Sequence, residues 1–400
     1  MKTVIHYFIG SYLPITENWI YGQIKNLTRY QPVVYAFETK NLEVFPVERI
    51  RALSFKNRGK AFFSGKCIFL NKVREKIFRI YSLASFAVAL KKDRPSLIHA
   101  HFGPSGYNFL PLKRINGNLP LITTFYGFDL SMLPCQDPGW KKKYNKLFRQ
   151  GDRFLVEGSH MKKSLAELGC PPDKIIVQHL GVDLAKTRFV PRNLKINEEI
   201  RILVAGSFHE KKGIPYAVEA FSLAREKYRN LKLTIIGDSP GDPEGEKEKQ
   251  KILSVIKNNH IEDSVRLMGY QPHSVFLEEL YDHHILLSPS ICSSNGDTEG
   301  GAPVSIIEAS ASGLPVLSTT HCDIPEVVIN GESGCLVPER DAGALSVKLE
   351  YLVSNPENWE EMGRKGRAHI ERNYNIITQV QKLEEIYDDL INQNENTGNL

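Results

Sequence analysis

The stretch that decides the fold is ILLSPS at residues 285–290, followed by GDTEGGAPVSIIEASASG at residues 296–313. The first six residues are apolar enough to predict a buried parallel strand. The second part predicts a glycine-rich turn and a short helix with Pro303 in its first turn, where a missing N–H costs nothing. Gly313 ends that helix, and LPVLST at residues 314–319 predicts the next strand. This succession of strand, turn, helix and strand predicts an α/β fold with a parallel sheet.

The glycine-rich turn is a candidate binding site because open α/β sheets bind ligands at the carboxyl ends of their strands. The backbone N–H groups of Gly300, Gly301 and Ala302, together with the positive end of the helix dipole, suit an anionic group such as a diphosphate. Glu299 lies at the mouth of the turn, and Glu308 lies on a helix of small and apolar residues. Two acids beside such a turn favour a binding site. The alternative is a tight connection with Glu308 in solvent.

Alternating strands and helices along the whole chain predict two Rossmann-like, doubly wound parallel sheets. The predicted domains are residues 1–190, residues 191–375, and a C-terminal helix that crosses back to the first domain, followed by a loose tail, in residues 376–400. Five details are also expected: a first strand ending at residue 9 with a loop at 10–14, a helix from Trp19 towards Arg29, a helix at 72–90, an acidic loop at 238–248, and a last helix ending near residue 391.

The composition is that of a soluble globular protein, with 400 residues, 42% hydrophobic and 24% charged. We expect neither a membrane-spanning segment nor a signal peptide, because no apolar run is long enough. The six cysteines are scattered without a Cys-x-x-Cys pair, which argues against a zinc site or a disulfide framework and favours the cytoplasm.

The charge is distributed unevenly along the chain. Residues 1–190 carry 30 Lys and Arg against 13 Asp and Glu, a net charge of +17, whereas residues 191–400 carry a net charge of −12. The segment 49–94 alone has 13 basic residues against two acids, interleaved with phenylalanines. This asymmetry predicts that the first domain contacts an anionic membrane surface, with the protein peripheral at the inner face of the membrane. Nucleic acid is the rival anion, but no nucleic-acid-binding motif accompanies the charge.

The ordered series of motifs along the chain resembles family 4 of the retaining glycosyltransferases. The second half carries GSFHEKKG at 206–213, LTIIG at 233–237, VRLMG at 265–269 and SPS at 288–290 before the Glu299 stretch. The first half carries IHAHFG at 98–103 and TTFYGFD at 123–129. The segment YLPITENW at 12–19 is similar to a subgroup associated with exopolysaccharide assembly. The resemblance covers residues 1 to about 390 and implies the GT-B fold, in which two Rossmann-like domains face a central cleft.

The resemblance also implies roles for residues in the second domain. Lys212 would neutralise the diphosphate of a nucleotide sugar, and Glu308 would accept hydrogen bonds from its ribose. Glu299 and the turn amides would hold the donor sugar and the distal phosphate. The residues expected to contact the donor are Ser207, Lys212, Gly269, Tyr270, Glu299, Gly300, Gly301, Ala302 and Glu308.

In the first domain, the resemblance implies that strand ends facing the cleft contact the acceptor or the sugar. The residues expected there are Gly10, Ser11, Tyr126 and Asp129, and the expected catalytic residues are Glu299, His101 and Lys212. We prefer His101 over His99 because it is nearer the carboxyl end of its strand. The alternatives are a structural, hydrogen-bonded His101 and an Asp129 that caps the next helix.

Three positions depart from the family pattern. Glu299 and Glu308 are nine residues apart instead of eight, which one extra small residue in the turn explains. Ser207 stands where the family usually has Arg, which leaves Lys212 without its usual partner, and Tyr126 stands where His is common. A solvated Lys212 is the alternative to a bound one, although Gly213 favours a tight turn that holds it inward.

The implied reaction transfers a sugar from a nucleotide-sugar donor with retention of configuration and needs no protein nucleophile. Lys212 and the helix N-terminus would stabilise the leaving diphosphate, so neither a metal nor another cofactor is expected; the sequence contains no Asp-x-Asp motif. The expected acceptor is a lipid-linked saccharide or oligosaccharide in the synthesis of an exopolysaccharide, capsule or lipopolysaccharide. A nucleotide-sugar epimerase of the same fold and a non-catalytic scaffold are the alternatives.

Overall fold

The computed structural model describes residues 1–14, 17–53, 68–116 and 119–397, which form two parallel sheets. The first sheet has the order β3-β2-β1-β4-β5-β6-β7. Its strands are β1 (Lys2–Tyr12), β2 (Tyr30–Thr39), β3 (Ile50–Ala52), β4 (Leu97–His101), β5 (Leu121–Thr124), β6 (Arg153–Val156) and β7 (Ile175–Val177). The second sheet has the order β10-β9-β8-β11-β12-β13. Its strands are β8 (Ile200–Ala205), β9 (Leu231–Ile236), β10 (Val265–Leu267), β11 (Ile285–Ser288), β12 (Val316–Thr319) and β13 (Gly334–Val337).

Helices cover both faces of each sheet, as the near-continuous apolar strands require. In the first half they are α1 (Asn18–Lys25), α2 (Ile68–Asp93), α3 (Gly103–Ile115), α4 (Met132–Gln136), α5 (Gly139–Gln150) and α6 (Ser159–Glu167). In the second half they are α7 (Ile214–Lys227), α8 (Pro243–Asn258), α9 (His273–Asp282), α10 (Val304–Ser312), α11 (Ile324–Val327), α12 (Ala342–Ser354), α13 (Trp359–Asn373) and α14 (Ile376–Thr397). The prediction of two doubly wound parallel sheets is therefore confirmed. None of the described helices is both long and apolar enough to cross a bilayer.

Each sheet has a point where the strand order reverses, and a ligand crevice is expected there. In the second sheet this point lies between β8 and β11, which pair in parallel through Ile202 and Ile285. The loop after β8 contains the predicted Ser207 and Lys212, and the loop after β11 contains Glu299. The topology therefore brings these three residues to the same edge of the sheet.

Two predicted boundaries in the first half are wrong. β1 continues to Tyr12 because residues after Phe8 pair again with β2, following a register shift before Ser11. Gly10 and Ser11 thus lie in a strand with an irregularity and not in a free loop. The helix predicted to run towards Arg29 ends at Lys25, because residues 26–29 turn towards β2. Within the basic, phenylalanine-rich segment 49–94, residues 54–67 lie outside the described residues, whereas β3 and the backbone of α2, which contains the predicted helix 72–90, are described.

Two predicted boundaries in the second half are also wrong. The expected acidic loop at 238–248 contains the start of α8, because the Asp242 side chain accepts a hydrogen bond from the Gly245 N–H (2.7 Å) and Pro243 occupies the first turn. The last helix extends to Thr397, six residues beyond the predicted end.

The helix α14 lies on the first sheet, although it follows two helices of the second. The Tyr387 hydroxyl is 2.7 Å from His99 Nδ1, and the Glu384 carboxylate accepts hydrogen bonds from the backbone N–H groups of Thr28 and Arg29. Because Glu384 is buried, these charge-assisted bonds fix the helix firmly to the edge of the cleft.

The chain crosses between the two halves twice, and the two crossings are hydrogen-bonded to each other. The first crossing follows β7, and the second joins α13 to α14. The Val182 N–H donates to the Tyr374 carbonyl (2.8 Å), and the Ile376 N–H donates to the Val182 carbonyl (3.1 Å). A Cβ atom at Gly181 would lie 2.4 Å from the Ile376 Cα, so the two crossings touch backbone to backbone.

Candidate functional site

A pocket of about 570 Å³ lies in the cleft, at the carboxyl ends of the strands of the second sheet. Residues of both halves line it. Seven of the predicted site residues are among them: Tyr126, Ser207, Lys212, Tyr270, Glu299, Ala302 and Glu308. The other seven predicted residues do not line the pocket: Gly10, Ser11, His101, Asp129, Gly269, Gly300 and Gly301.

An ion pair between Lys212 and Glu299 lies on the wall formed by the second half. Lys212 Nζ is 2.9 Å from Glu299 Oε2, and the Ser290 hydroxyl donates to Glu299 Oε1 (2.9 Å). The Glu299 side chain is only 6% exposed. Burial opposes its ionisation, but the Lys212 and Lys211 ammonium groups outweigh that effect and lower the pKa of Glu299 to about 2. The pocket therefore contains a fully ionised carboxylate that has a neutralising cation beside it.

Lys211 is a second, half-buried cation at the pocket that the sequence analysis did not select. Its Nζ is 3.0 Å from Asp297 Oδ2 and donates to the Thr298 carbonyl (3.2 Å). Burial lowers its pKa, yet Glu299 and Asp297 raise the pKa by more, so Lys211 stays charged. Gly213, with φ +62°, ends the turn Glu210–Lys212 that carries both lysines. A side chain at Gly213 would collide with the Pro289 carbonyl, because its Cβ would lie 1.9 Å from that oxygen.

Glu308 is buried on α10 and pairs with a residue that the sequence analysis did not identify. His273 Nε2 lies 2.8 Å from Glu308 Oε1, and His273 also lines the pocket. The hydrogen bond to Glu308 raises the pKa of His273. On the same side, Tyr270 is half exposed at the pocket rim, and Gly269 adopts φ +67° while its carbonyl accepts from the Gly237 N–H.

The sequence analysis expected the backbone N–H groups of the glycine-rich turn to be free, but one of them is paired within the turn. The Gly300 N–H donates to Thr298 Oγ1 (3.2 Å) within the turn. Gly300 has φ +75°, and its Cβ position lies 2.4 Å from the Gly127 Cα of the first half. The turn therefore touches the opposite domain through Gly300, and the pocket opens beside Ala302, at the start of α10.

His101, which the sequence analysis selected as a catalytic residue, lies behind the pocket wall. It is completely buried, and its Nδ1 is 2.7 Å from the hydroxyl of Tyr126, which does line the pocket. Its Nε2 is 2.9 Å from His6 Nδ1. Strand alternation placed His101 at the correct end of β4, but the side chain turns into the domain. It can act on the pocket through Tyr126.

Asp129 also lies outside the pocket. Its buried carboxylate accepts hydrogen bonds from the N–H groups of Gly103 (2.7 Å), Tyr126 (3.0 Å) and Gly127 (3.2 Å). Gly103 begins α3, so Asp129 caps a helix, although not the following one that the alternative named. Its structural role is to hold together the two turns that carry Tyr126 and Phe102. Ser11, for its part, donates to Glu38.

Among the described residues, one group of metal-ligating side chains lies close together, namely His6, His99 and His101. The rings of His99 and His101 are stacked, with centroids 4.4 Å apart and planes 24° apart. Both nitrogens of His99 and of His101 have hydrogen-bond partners. This arrangement is a buried hydrogen-bond network.

The turn and α11 of the second half supply the cap for a helix of the first half. The Asp323 carboxylate accepts from the His160 N–H (2.6 Å), and the Glu326 carboxylate accepts from the Ser159 N–H (2.8 Å). The residue before α6, Gly158, provides no side-chain cap of its own. The closed cleft therefore satisfies backbone donors that would otherwise be unpaired.

Family comparisons agree with the motif series. Residues 186–369 match the model described as "Glycosyl transferases group 1", and residues 29–186 match "Glycosyltransferase Family 4". The Escherichia coli protein described as "Putative colanic acid biosynthesis glycosyltransferase WcaL" is 33% identical over 287 residues, or 70% of this chain and 68% of its own. The amylovoran biosynthesis glycosyltransferase AmsK of Erwinia amylovora is 32% identical over 293 residues, or 72% of this chain and 69% of its own. The alignments thus span about two thirds of these relatives.

Solved structures of similar fold cover almost the whole chain. Anabaena HepE, in complex with UDP-glucose, gives a TM-score of 0.76 at 13% identity and covers 98% of this chain and 100% of its own. Sucrose-phosphate synthase of Thermosynechococcus elongatus gives a TM-score of 0.75 at 18% identity with the same coverage. The predicted GT-B fold is confirmed.

Proposed function

The chain belongs to family 4 of the glycosyltransferases, and we propose that it transfers a sugar from a nucleotide-sugar donor to a saccharide acceptor in the assembly of an exopolysaccharide. Two kinds of comparison support the proposal. WcaL and AmsK are named for the biosynthesis of extracellular polysaccharides, and HepE was crystallised with UDP-glucose. The donor would bind in the pocket beside Lys212, Glu299 and Glu308.

The observation that carries the proposal is the Lys212–Glu299 pair at the base of the pocket. A diphosphate entering the pocket would meet two half-buried ammonium groups, those of Lys212 and Lys211, and the N-terminal end of α10. These positive groups would stabilise the negative charge that a leaving diphosphate gains. Lys212 would exchange its bond to Glu299 for one to a phosphate, and Glu299 would then accept hydrogen bonds from the sugar hydroxyls.

We further propose that the configuration is retained and that the transfer needs no metal. The acceptor hydroxyl would attack on the face from which the diphosphate leaves, and its proton would pass to a phosphate oxygen. Lys211 and Lys212 support the metal-independent part of this proposal because their ammonium groups supply positive charge in the pocket. Activity that persists in excess EDTA, and a product anomer that matches the donor anomer by NMR, are the expected results. Loss of activity in EDTA, or an inverted anomer, would contradict them.

The acceptor proposed is a lipid-linked saccharide presented at an anionic membrane, with the enzyme peripheral at its cytoplasmic face. The support is the net charge of +17 in residues 1–190 against −12 in the rest. The purified protein should sediment with vesicles that contain phosphatidylglycerol but not with phosphatidylcholine vesicles, and 0.5 M salt should release it. Equal binding to both kinds of vesicle would contradict the membrane proposal and would leave the sugar-transfer proposal intact.

The first test is thermal stabilisation by UDP, GDP and ADP and by their sugars. A ligand at one hundred times its dissociation constant adds about 2.7 kcal/mol to the free energy of unfolding, which gives a clear rise in melting temperature. Glu308→Ala should abolish the rise, because Glu308 is buried in the pocket, whereas Glu357→Ala, at an exposed position far from it, should not. Absence of a rise with every nucleotide would contradict the proposed function.

A further inference from the structure

Glu157 is a buried acid in the cleft that the implied mechanism does not use. It follows the last residue of β6 in the first half, is 9% exposed, and lines the same pocket as Lys212 and Glu299. Carboxyl groups are rarely buried to this degree unless something pairs with them. Glu157 is thus placed where a group of the first half can contact a ligand held by the second.

The carboxyl group of Glu157 lies directly against the donor-site turn. A Cβ atom built at Gly301 would lie 1.9 Å from Glu157 Oε2 and 2.8 Å from its carboxyl carbon. The φ angle of Gly301 is not in the left-handed region, so the backbone conformation does not require glycine there. The Glu157 carboxyl group therefore occupies the space that a side chain at Gly301 would fill, and a ligand bound on this turn is within reach of it.

Within the described ranges, Glu157 makes its hydrogen bond through the backbone carbonyl, which accepts from His179 Nδ1 (2.7 Å). Its carboxyl group has no hydrogen-bond partner there. Neither oxygen of that carboxyl group is among the fully buried polar atoms that lack a partner, so both keep access to the pocket. A ligand in the pocket can therefore form a hydrogen bond with them directly.

The charged surroundings of Glu157 decide which protonation state meets that ligand. The titratable groups that face it are Asp129, Glu299, Asp323, Lys211, His179, Tyr126 and Tyr374. Burial, and then the carboxyl groups of Asp323, Asp129 and Glu299, raise the pKa of Glu157, while Lys211 lowers it by less. The neutral acid is therefore favoured, and a neutral carboxyl group carries an O–H donor.

We propose that Glu157 donates a hydrogen bond from its neutral carboxyl group to the distal phosphate of the nucleotide donor. This inference rests on the proposed function and adds to it a contact from the opposite domain. The neutral acid gains a charge-assisted hydrogen bond to the phosphate, whereas the ionised acid would repel it. Because Glu157 belongs to the first half, the contact forms only when the cleft is closed.

The test uses the nucleotide among UDP, GDP and ADP that stabilises the wild type most. Its affinity for the wild type and for Glu157→Gln is measured by calorimetry from pH 5.5 to pH 9. The wild type should lose up to tenfold in affinity per pH unit above the pKa of Glu157, because binding then requires the uptake of a proton. Glu157→Gln keeps a neutral donor, so it should bind within threefold of the wild type at pH 6 and lose this part of the pH dependence. Glu167→Gln, an exposed change on the adjacent α6, should keep the wild-type profile.

Gly301→Ala is a second variant that tests the same contact without changing Glu157. Its Cβ would displace the Glu157 carboxyl group, so the pH-dependent part of the affinity should again disappear. An unchanged pH profile in both variants overturns the inference. Normal nucleotide affinity with at least a hundredfold loss of kcat in Glu157→Gln would also overturn it, because the reaction would then need the carboxylate. If the wild type binds none of the three nucleotides, the proposed function itself fails.

Discussion

Replacement of Lys212 by Met should destabilise the free protein because it leaves Glu299 ionised and buried. The pKa of Glu299 is about 2, against an ordinary value of 4.5. At 1.36 kcal/mol per unit, the difference corresponds to about 3 kcal/mol of stabilisation of the ionised form. Lys211 remains nearby, so we expect a loss of about 2–3 kcal/mol at pH 7. For a domain of about 200 residues this lowers the melting temperature by roughly 5–10 °C.

The pH dependence of this loss follows from the lowered pKa. The stabilisation of the ionised Glu299 is complete above pH 4.5 and disappears as the pH falls towards 2. The difference in melting temperature between wild type and Lys212→Met should therefore shrink steadily from pH 5 to pH 3. Differential scanning calorimetry without nucleotide measures it directly.

A double variant separates the ion pair from other effects of the mutation. Lys212→Met with Glu299→Gln removes both charges, so it should recover more than half of the lost stability. Turnover should nevertheless fall by about a hundredfold or more in the single and double variants, because the phosphate loses its cation. A change of less than 2 °C at pH 7, or an equal loss at pH 3 and pH 7, would refute the reasoning.

Three further predictions concern the cleft. Asp323→Ala should remove a cap from α6, which lowers the melting temperature by a few degrees and enlarges the radius of gyration measured by small-angle scattering. Asp323→Asn keeps an acceptor and should change both quantities less. If Asp323→Ala changes neither quantity, the cap is unimportant. Gly300→Ala should reduce turnover at least tenfold. Gly331 also has a positive φ but open space around it, so Gly331→Ala should lose stability without losing turnover. Similar turnover in both variants would show that the domain contact is unimportant. His101→Gln should lower kcat when Tyr126 is present, but by less than threefold in a Tyr126→Phe background, because His101 acts through the Tyr126 hydroxyl. Fully additive losses would contradict a role of His101 through Tyr126.

Much of the fold could be predicted because the strands are short apolar runs with turns at both ends. The boundaries that failed depend on single contacts. The start of α8 depends on the Asp242 cap, which looks like part of an acidic loop in the sequence, and the end of β1 depends on renewed pairing with β2 after an irregularity. The polar end of α14 continues as a helix because its residues tolerate helical geometry, although nothing apolar marks it.

In the candidate site, the rule that ligands bind at strand ends selected the correct edge but not the correct side chains. It brought Lys212, Glu299 and Glu308 to the pocket, yet it also selected His101, whose side chain turns inward. Periodicity gives the edge of a sheet, but the direction of a side chain after the last residue of a strand depends on the turn that follows. The same rule applied to β6 would have found Glu157, which directly follows the last residue of that strand.

The paired crossings near Val182 and Ile376 have a mechanical consequence. Two chain segments that lie side by side and share hydrogen bonds form a flat strap, which bends easily across its face and resists torsion about its length. The two halves can therefore open and close by a hinge motion about the paired segments, which resist a twisting rotation of one half against the other. Every opening and closing then returns Gly300 to Gly127 and Glu157 to Gly301 in the same alignment. A bound nucleotide would need to stabilise only one coordinate of motion to assemble the complete pocket.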